Sequence, residues 1–252
     1  MPLAGWAASG LPAVPPLEPG PGAPSYGASS DGARPRERRA MTLLLGQTVP
    51  DFEAKTTQGP IRFHDWIGEN WAVLFSHPAD FTPVCTTELG AVAALKDEWD
   101  ARGVKPIALS VDPLGDHEAW LGDIEETQGS KVWYPVIADE DRKIADAYGM
   151  VHPDAAPNIT VRAVYVIDPQ KKLRLTFTYP PSTGRNFAEV LRAIDSLQLT
   201  DGHKVATPAD WQNGEDVIIV PSLQDEDEIK RRFPKGYKAI KPYLRVTPQP
   251  NK

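Results

Sequence analysis

Short apolar runs separated by longer amphipathic stretches set the layout of this chain. Trp71-Ala72-Val73-Leu74-Phe75-Ser76 is a largely apolar run of strand length, and Pro106 to Val111 is another. Both predict β-strands. Ala163 to Asp168 and Leu173 to Tyr179 flank the turn sequence Pro169-Gln170-Lys171-Lys172, so they predict a hairpin. Helical stretches lie between these runs, at Pro83 to Arg102, His117 to Gln128, Asp141 to Tyr148 and Asn186 to Leu197. Strands interleaved with helices, plus one hairpin, indicate an α/β fold with a mixed central sheet flanked by helices.

The texture changes at both ends. Residues 1–40 are rich in Pro, Gly, Ala and Ser, end in Arg34-Pro35-Arg36-Glu37-Arg38-Arg39, and show no hydrophobic periodicity. Such a stretch cannot offset its ordering entropy by burial, so a disordered N-terminal extension is expected. The arginines also suit a transit peptide, although Glu18, Asp31, Glu37 and the prolines spoil an amphipathic basic helix. A main domain is expected over 42–199. From Leu199 onward, Pro208, Pro221, Pro234, Pro242, Pro248 and Pro250 punctuate short segments, among them a strand at Val217 to Val220 and a charged helix at Gln224 to Arg232. This predicts a small C-terminal α+β extension over 200–252, too broken for a large core of its own. It is expected to pack on the main domain or on a second subunit.

Composition narrows the function classes. The hydrophobic fraction of 41% supports a packed core, and the net charge of -7 leaves no basic excess for a nucleic acid. No apolar run reaches the ~18 residues of a membrane span. There is one cysteine, Cys85, so no internal disulfide can form and any thiol chemistry involves a second molecule. A lone thiol fits a reducing compartment, and the expected location is the cytoplasm, with an organelle as the alternative if residues 1–40 act as a transit peptide. His64, His77, His117, His152 and His203 are scattered without ligand spacing, so no metal site is expected.

The informative stretch is Ser76-His77-Pro78-Ala79-Asp80-Phe81-Thr82-Pro83-Val84-Cys85-Thr86-Thr87-Glu88-Leu89. A strand ends at Ser76, and a helix should start near Thr82, a good N-cap, with Pro83 at the first helical position. Cys85 then falls in the first turn, where free N–H groups and the helix dipole favour thiolate over thiol. Spacing alone leaves a second account open, because Cys85 lies four residues before Leu89 and could be a small core hydrophobe.

Pro78-x-x-x-Thr82-x-x-Cys85 matches the active-site motif of peroxiredoxins, and the longer run resembles the one-cysteine, peroxiredoxin-6-like branch of the AhpC/TSA family. Pro50-Asp51-Phe52, Thr160-Val161-Arg162, Thr183-Gly184-Arg185-Asn186-Phe187, Val205-Ala206-Thr207-Pro208 and Phe233-Pro234-Lys235-Gly236 have counterparts there in the same order, so the resemblance covers residues 42 to 252. It implies a thioredoxin-like fold and a thiol-dependent peroxidase that reduces hydroperoxides through a cysteine sulfenic acid. By position, Cys85 is the implied nucleophile, Thr82 and Pro78 its pocket, and Arg162 the arginine that stabilises the thiolate. His77 is implied near the sulfur, with Glu88 and Arg185 as supporting charges. No cofactor is implied. The implied partners are an external thiol such as glutathione or thioredoxin and a second copy of the chain in a homodimer or an assembly of dimers.

Two rival functions are also compatible with the sequence. One is a non-enzymatic sensor that uses Cys85. The other is a serine hydrolase, because some members of this branch are described as phospholipases with a Gly-Asp-Ser-Trp-Gly stretch. Here the corresponding stretch is Gly68-Glu69-Asn70-Trp71-Ala72, and Gln170 takes the place of the acid. Of the three hydrolase residues only the histidine, His64, is retained.

Overall fold

The apolar run at 71–76 becomes the middle strand of the main sheet, and its neighbours explain why it carries no polar face. In the computed structural model, which describes residues 43–252, the elements run in order as follows. The first part holds β1 (Glu53–Ala54), β2 (Ile61–Arg62), α1 (Phe63–Ile67), β3 (Trp71–Ser76), α2 (Pro83–Ala94), α3 (Lys96–Ala101), β4 (Val104–Ser110) and α4 (Leu114–Gln128). Then come β5 (Val136–Ala138), α5 (Lys143–Tyr148), β6 (Arg162–Ile167), β7 (Leu173–Tyr179) and α6 (Phe187–Gly202). The C-terminal segment adds β8 (Val205–Ala206), β9 (Val217–Ile219), α7 (Glu226–Arg232), β10 (Lys238–Lys241) and β11 (Leu244–Thr247). The expected disordered extension, residues 1–40, lies outside the described residues.

Five strands form one sheet in the order β5-β4-β3-β6-β7. β3 pairs parallel with β4 and antiparallel with β6, and β6 with β7 is the expected antiparallel hairpin. Alternate residues of β3 then enter different cores. Trp71, Val73 and Phe75 pack with Leu89 and Val92 of α2, Trp120 and Ile124 of α4, and Val190 and Ile194 of α6. Ala72 and Leu74 pack with Phe63 and Ile67 of α1 and Ile144 and Tyr148 of α5. A strand covered by helices on both faces reads as continuous apolar sequence rather than as alternation. This is the thioredoxin-like arrangement.

One expectation needs correcting. The stretch Pro83 to Arg102 is two helices, broken at Leu95. The Val92 carbonyl accepts from the Leu95 N–H at 3.3 Å and from the Trp99 indole at 3.0 Å. That competition ends the regular ladder and turns Trp99 into the core. The C-terminal segment forms a four-stranded sheet, order β10-β11-β9-β8, around a small cluster of Trp211, Val217, Ile219, Ile229 and Phe233 that also takes in Leu199 of α6. The pairs Ser196–Thr207 and Arg192–Trp211 O further tie it to α6.

Candidate active site

Six residues, His77 to Thr82, carry the chain from the C-terminal end of β3 to the start of α2. Thr82 takes the N-cap position in extended backbone and Pro83 the first helical position. The Thr82 hydroxyl does not cap the helix; it donates to the Ala79 carbonyl at 2.8 Å and so closes the loop on itself. Pro83 has no N–H, which leaves the Val84 and Cys85 amides as the unpaired donors of the first turn. Cys85 itself is 0% exposed and borders the core around Phe75 and Leu89. Pro78 is buried beside this loop.

Arg162 meets Cys85 from the neighbouring strand. As the first residue of β6 it donates from Nη1 to the sulfur at 3.4 Å and to Glu88 Oε2 at 2.6 Å. Its Nε and Nη2 are held by the Pro181 carbonyl at 2.9 and 2.7 Å. Glu88, one turn after Cys85 on α2, also receives Arg185: its Oε1 accepts from the Arg185 backbone N–H and Nε, and its Oε2 from Nη2. Burial alone would push the Glu88 carboxyl up, but the Arg185 hydrogen bonds and the two guanidinium charges outweigh it and hold the group below its usual range. Arg185 continues to the carbonyls of Ser76 and Ala163 at 2.8 and 2.9 Å, and its guanidinium lies over Phe75 and Phe187. One buried carboxylate thus fixes two arginines, and one of them touches the sulfur.

Of the residues singled out in the sequence, Cys85, Arg162, Glu88 and Arg185 come together in one hydrogen-bonded set, with Thr82 and Pro78 on the adjoining loop. His77 does not join that set. Its Nε2 faces Asp80 Oδ1 at 2.8 Å, and its Nδ1 is buried without a hydrogen-bond partner. Burial lowers its pKa, and the hydrogen bond and charge of Asp80 oppose that only in part. The histidines are also less scattered than their spacing suggests. His117 of α4 meets the same carboxylate, with Nδ1 at 2.5 Å from Asp80 Oδ2 and Nε2 at 3.1 Å from the Ile137 carbonyl. Asp80 and His117 were not legible as a pair, because 37 residues separate them and only the packing of α4 on the loop brings them together. The three side chains lie close enough to resemble a ligand set. Their N···O separations of 2.5 and 2.8 Å are nevertheless those of hydrogen bonds.

The positions matching the hydrolase residues are occupied structurally. The Asn70 amide donates to the Ile67 carbonyl at 3.2 Å, and His64 Nε2 pairs with the Val49 carbonyl at 3.1 Å. Gln170 is exposed in the hairpin turn.

Comparison with known proteins places this geometry in a family. Residues 45–176 match the AhpC/TSA family, and residues 196–235 match the C-terminal domain of 1-Cys peroxiredoxin. A 1-Cys peroxiredoxin of Dictyostelium discoideum is 57% identical over 210 residues, covering 83% of this chain and 87% of the relative. A solved mutant of the peroxiredoxin 6 of Arenicola marina shares 51% identity with a TM-score of 0.78, covering 83% of this chain and all of that one. A structure on thiol resolving in yeast mitochondrial 1-Cys peroxiredoxin via glutathione/thioredoxin systems gives 51% and 0.76, covering 82% of this chain and 100% of that one.

Proposed function

Because the chain belongs to the AhpC/TSA family, in its one-cysteine peroxiredoxin branch, it is a thiol-dependent peroxidase, and we propose that Cys85 is the group that attacks the peroxide. The observation that carries this assignment is the hydrogen bond from Arg162 Nη1 to the Cys85 sulfur at 3.4 Å, in the first turn of a helix. The thiolate attacks one peroxide oxygen, an S–O bond forms as the O–O bond breaks, and the leaving oxygen takes up a proton to become water or alcohol. Negative charge moves from sulfur to the leaving oxygen. Arg162 and the first-turn amides stand ready for it without rearranging, which is where preorganised donors act most strongly. In this reading Thr82 and Pro78 shape the pocket, Glu88 and Arg185 hold Arg162 in place, and no cofactor takes part.

The sulfenic acid has no second cysteine to meet within the chain. An external thiol therefore completes the cycle, and the glutathione/thioredoxin systems named for the yeast relative support that class of reductant. Cys85 is 0% exposed, so a bulky thiol reaches it only after the surrounding chain moves. Residues 42–199 are assigned as the peroxidase domain and 200–252 as its C-terminal extension, in a chain that works as a homodimer. Among the described residues no helix is long and apolar enough to cross a membrane. A cytoplasmic location, or an organelle if residues 1–40 are a transit peptide, completes the proposal.

Cys85→Ser tests the central assignment. The variant should fold and lose all peroxide turnover with glutathione or thioredoxin, and wild type under peroxide alone should gain a dimedone-reactive sulfenic acid. Catalytic peroxide consumption by the serine variant would overturn it.

A further inference from the structure

Arg162 is held from two sides, and the two sides differ in kind. Toward α2 its Nη1 meets a charge, Glu88 Oε2, and the Cys85 sulfur. Toward the segment after β7 its Nε and Nη2 both donate to one neutral atom, the Pro181 carbonyl oxygen, at 2.9 and 2.7 Å. We infer that Pro181 is a positioning residue: its carbonyl, presented by a proline-built turn, sets the plane of the Arg162 guanidinium so that Nη1 lies against Cys85. The inference rests on the peroxidase reading and adds to it the element that orients its cation.

The turn is specified locally. β7 stops at Tyr179, the cross-strand partner of Arg162 in the ladder. Pro180 follows and has no N–H with which to extend that ladder. Pro181 then takes the second position of a turn that the Thr183 N–H closes on the Pro180 carbonyl at 3.1 Å. Proline suits that position because its ring presets φ, and Pro180, standing before a proline, is pushed to extended backbone. The carbonyl of the second residue takes no part in the turn's own hydrogen bond, so Pro181 O is left to face Arg162. Two residues past the turn, the Arg185 N–H donates to Glu88 Oε1 at 2.8 Å, so the segment is pinned on both sides of Pro181.

Geometry and charge both give this carbonyl a task. An arginine beside a carboxylate favours a fork, two parallel N–H bonds to the two oxygens. Here Arg185 holds that fork on Glu88, with Nε on Oε1 and Nη2 on Oε2. Arg162 reaches the same carboxylate through Nη1 alone. With no other anchor its guanidinium would swing about that contact and leave the sulfur. Two N–H groups on a single oxygen remove this freedom, because Nε and Nη2 share one edge of the planar group and the direction of Nη1 then follows from covalent geometry. The acceptor also carries no formal charge. Two guanidiniums and one carboxylate therefore leave an excess positive charge in this buried set, available to the sulfur and then to the leaving oxygen of the peroxide. A second carboxylate in place of Pro181 O would cancel it.

A main-chain substitution tests this without altering any side chain. Replacing Ser182 by its α-hydroxy acid turns the Pro181 carbonyl into an ester carbonyl, a weaker acceptor, and the Ser182 N–H that it removes donates to no group among the described residues. In 15N spectra of the arginine side chains, the Arg162 Nε–H of the reduced full chain should be protected from solvent exchange, and in the ester it should exchange about tenfold or more faster. Sulfenic acid formation at Cys85 should slow by about tenfold, part of what losing a preorganised donor costs. In the Arg162→Met background the ester should change that rate by no more than about twofold, because the group it positions is gone. Pro181→Ala keeps the carbonyl and should stay within about twofold of wild type. An ester with the exchange and rate of wild type would overturn the inference. So would an ester that slows the Arg162→Met chain as much as wild type, or a Pro181→Ala loss as large as that of the ester. None of these results touches the Cys85 assignment, which falls only if Cys85→Ser still turns over peroxide, and the Arg162 exchange readout needs no turnover.

Discussion

Glu88 is the residue on which the arginine network turns. Its carboxylate is 3% exposed and receives both Arg162 and Arg185, so replacing it strands two buried cations. Breaking a buried pair from one side typically costs 3–5 kcal/mol. Glu88→Gln should therefore lower unfolding stability by about 3 kcal/mol in urea titrations. Peroxide reduction should fall as well, because Arg162 would lose the anchor that aims Nη1 at the sulfur. The sign of the acid response follows from the direction of the shift. A carboxyl held below its ordinary 4.5 gives its full stabilisation above that value and loses it as pH falls through the lower folded value. Glu88→Gln should accordingly flatten the stability loss below about pH 4.5 that wild type shows. At Arg162 the prediction concerns rate. Arg162→Met removes the one side-chain donor that the described residues place on the Cys85 sulfur and should slow peroxide reduction by about 100-fold in stopped-flow traces, the scale of losing one preorganised donor. An unchanged rate would place Arg162 outside the reaction.

The pairing of α2 with α4 sets where both Cys85 and the Asp80–His117 contact sit, and two glycines probe it with opposite signs. A Cβ at Gly90 of α2 would lie 2.4 Å from Gln128 Cβ, so α4 would have to back away; at Gly122, on the exposed side of α4, a Cβ meets nothing within 4 Å. Gly122→Ala should stabilise the protein by about 0.5–1 kcal/mol through backbone entropy alone. Gly90→Ala gains the same and loses about 1–3 kcal/mol to overpacking, so thermal melts should show the two variants moving apart. Much at this scale was legible beforehand. β3, the β6–β7 hairpin, α4, α5 and α7 lie within a few residues of the expected bounds, because their residue patterns reflect local geometry, while α6 starts as expected and runs five residues beyond Leu197. The break at Leu95 was not, since it comes from Trp99 reaching back to Val92 O, a side-chain contact that periodicity does not record. Short strands such as β1, β2 and β8 have only two residues each and no pattern to read. At the site, Cys85, Thr82, Pro78 and Arg162 could be named through their family motifs. The Asp80–His117 contact joins distant segments and had no local signal.

At the scale of the molecule, the described residues leave an open sheet edge that a second copy of the chain would cover. β10 is exposed along its full length at an edge of the C-terminal sheet, and Ile240 and Tyr243 there are 51% and 69% exposed. An open edge strand pairs readily with another chain, and monomers normally blunt such edges. Lys238 and Lys241 supply charge at its ends, but Ile240 and Tyr243 put apolar surface beside them. β7 leaves a second open edge on the main sheet. The C-terminal segment has only a small core of its own, so its fold gains most if this face is covered. Light scattering at micromolar concentration should return the mass of a homodimer or of an assembly of dimers. Tyr243→Asp places a charge in the apolar part of the face, and burying an unpaired charge opposes association. That variant should weaken self-association by about tenfold or more in sedimentation velocity, which corresponds to about 1.4 kcal/mol. Its rate of sulfenic acid formation at Cys85 should stay near that of wild type, since the hydrogen bonds joining Cys85, Arg162, Glu88 and Arg185 all lie within one chain, away from Tyr243. A monomer mass for wild type would refute the dimer, and an unchanged association constant in Tyr243→Asp would move the interface away from β10 to the β7 edge.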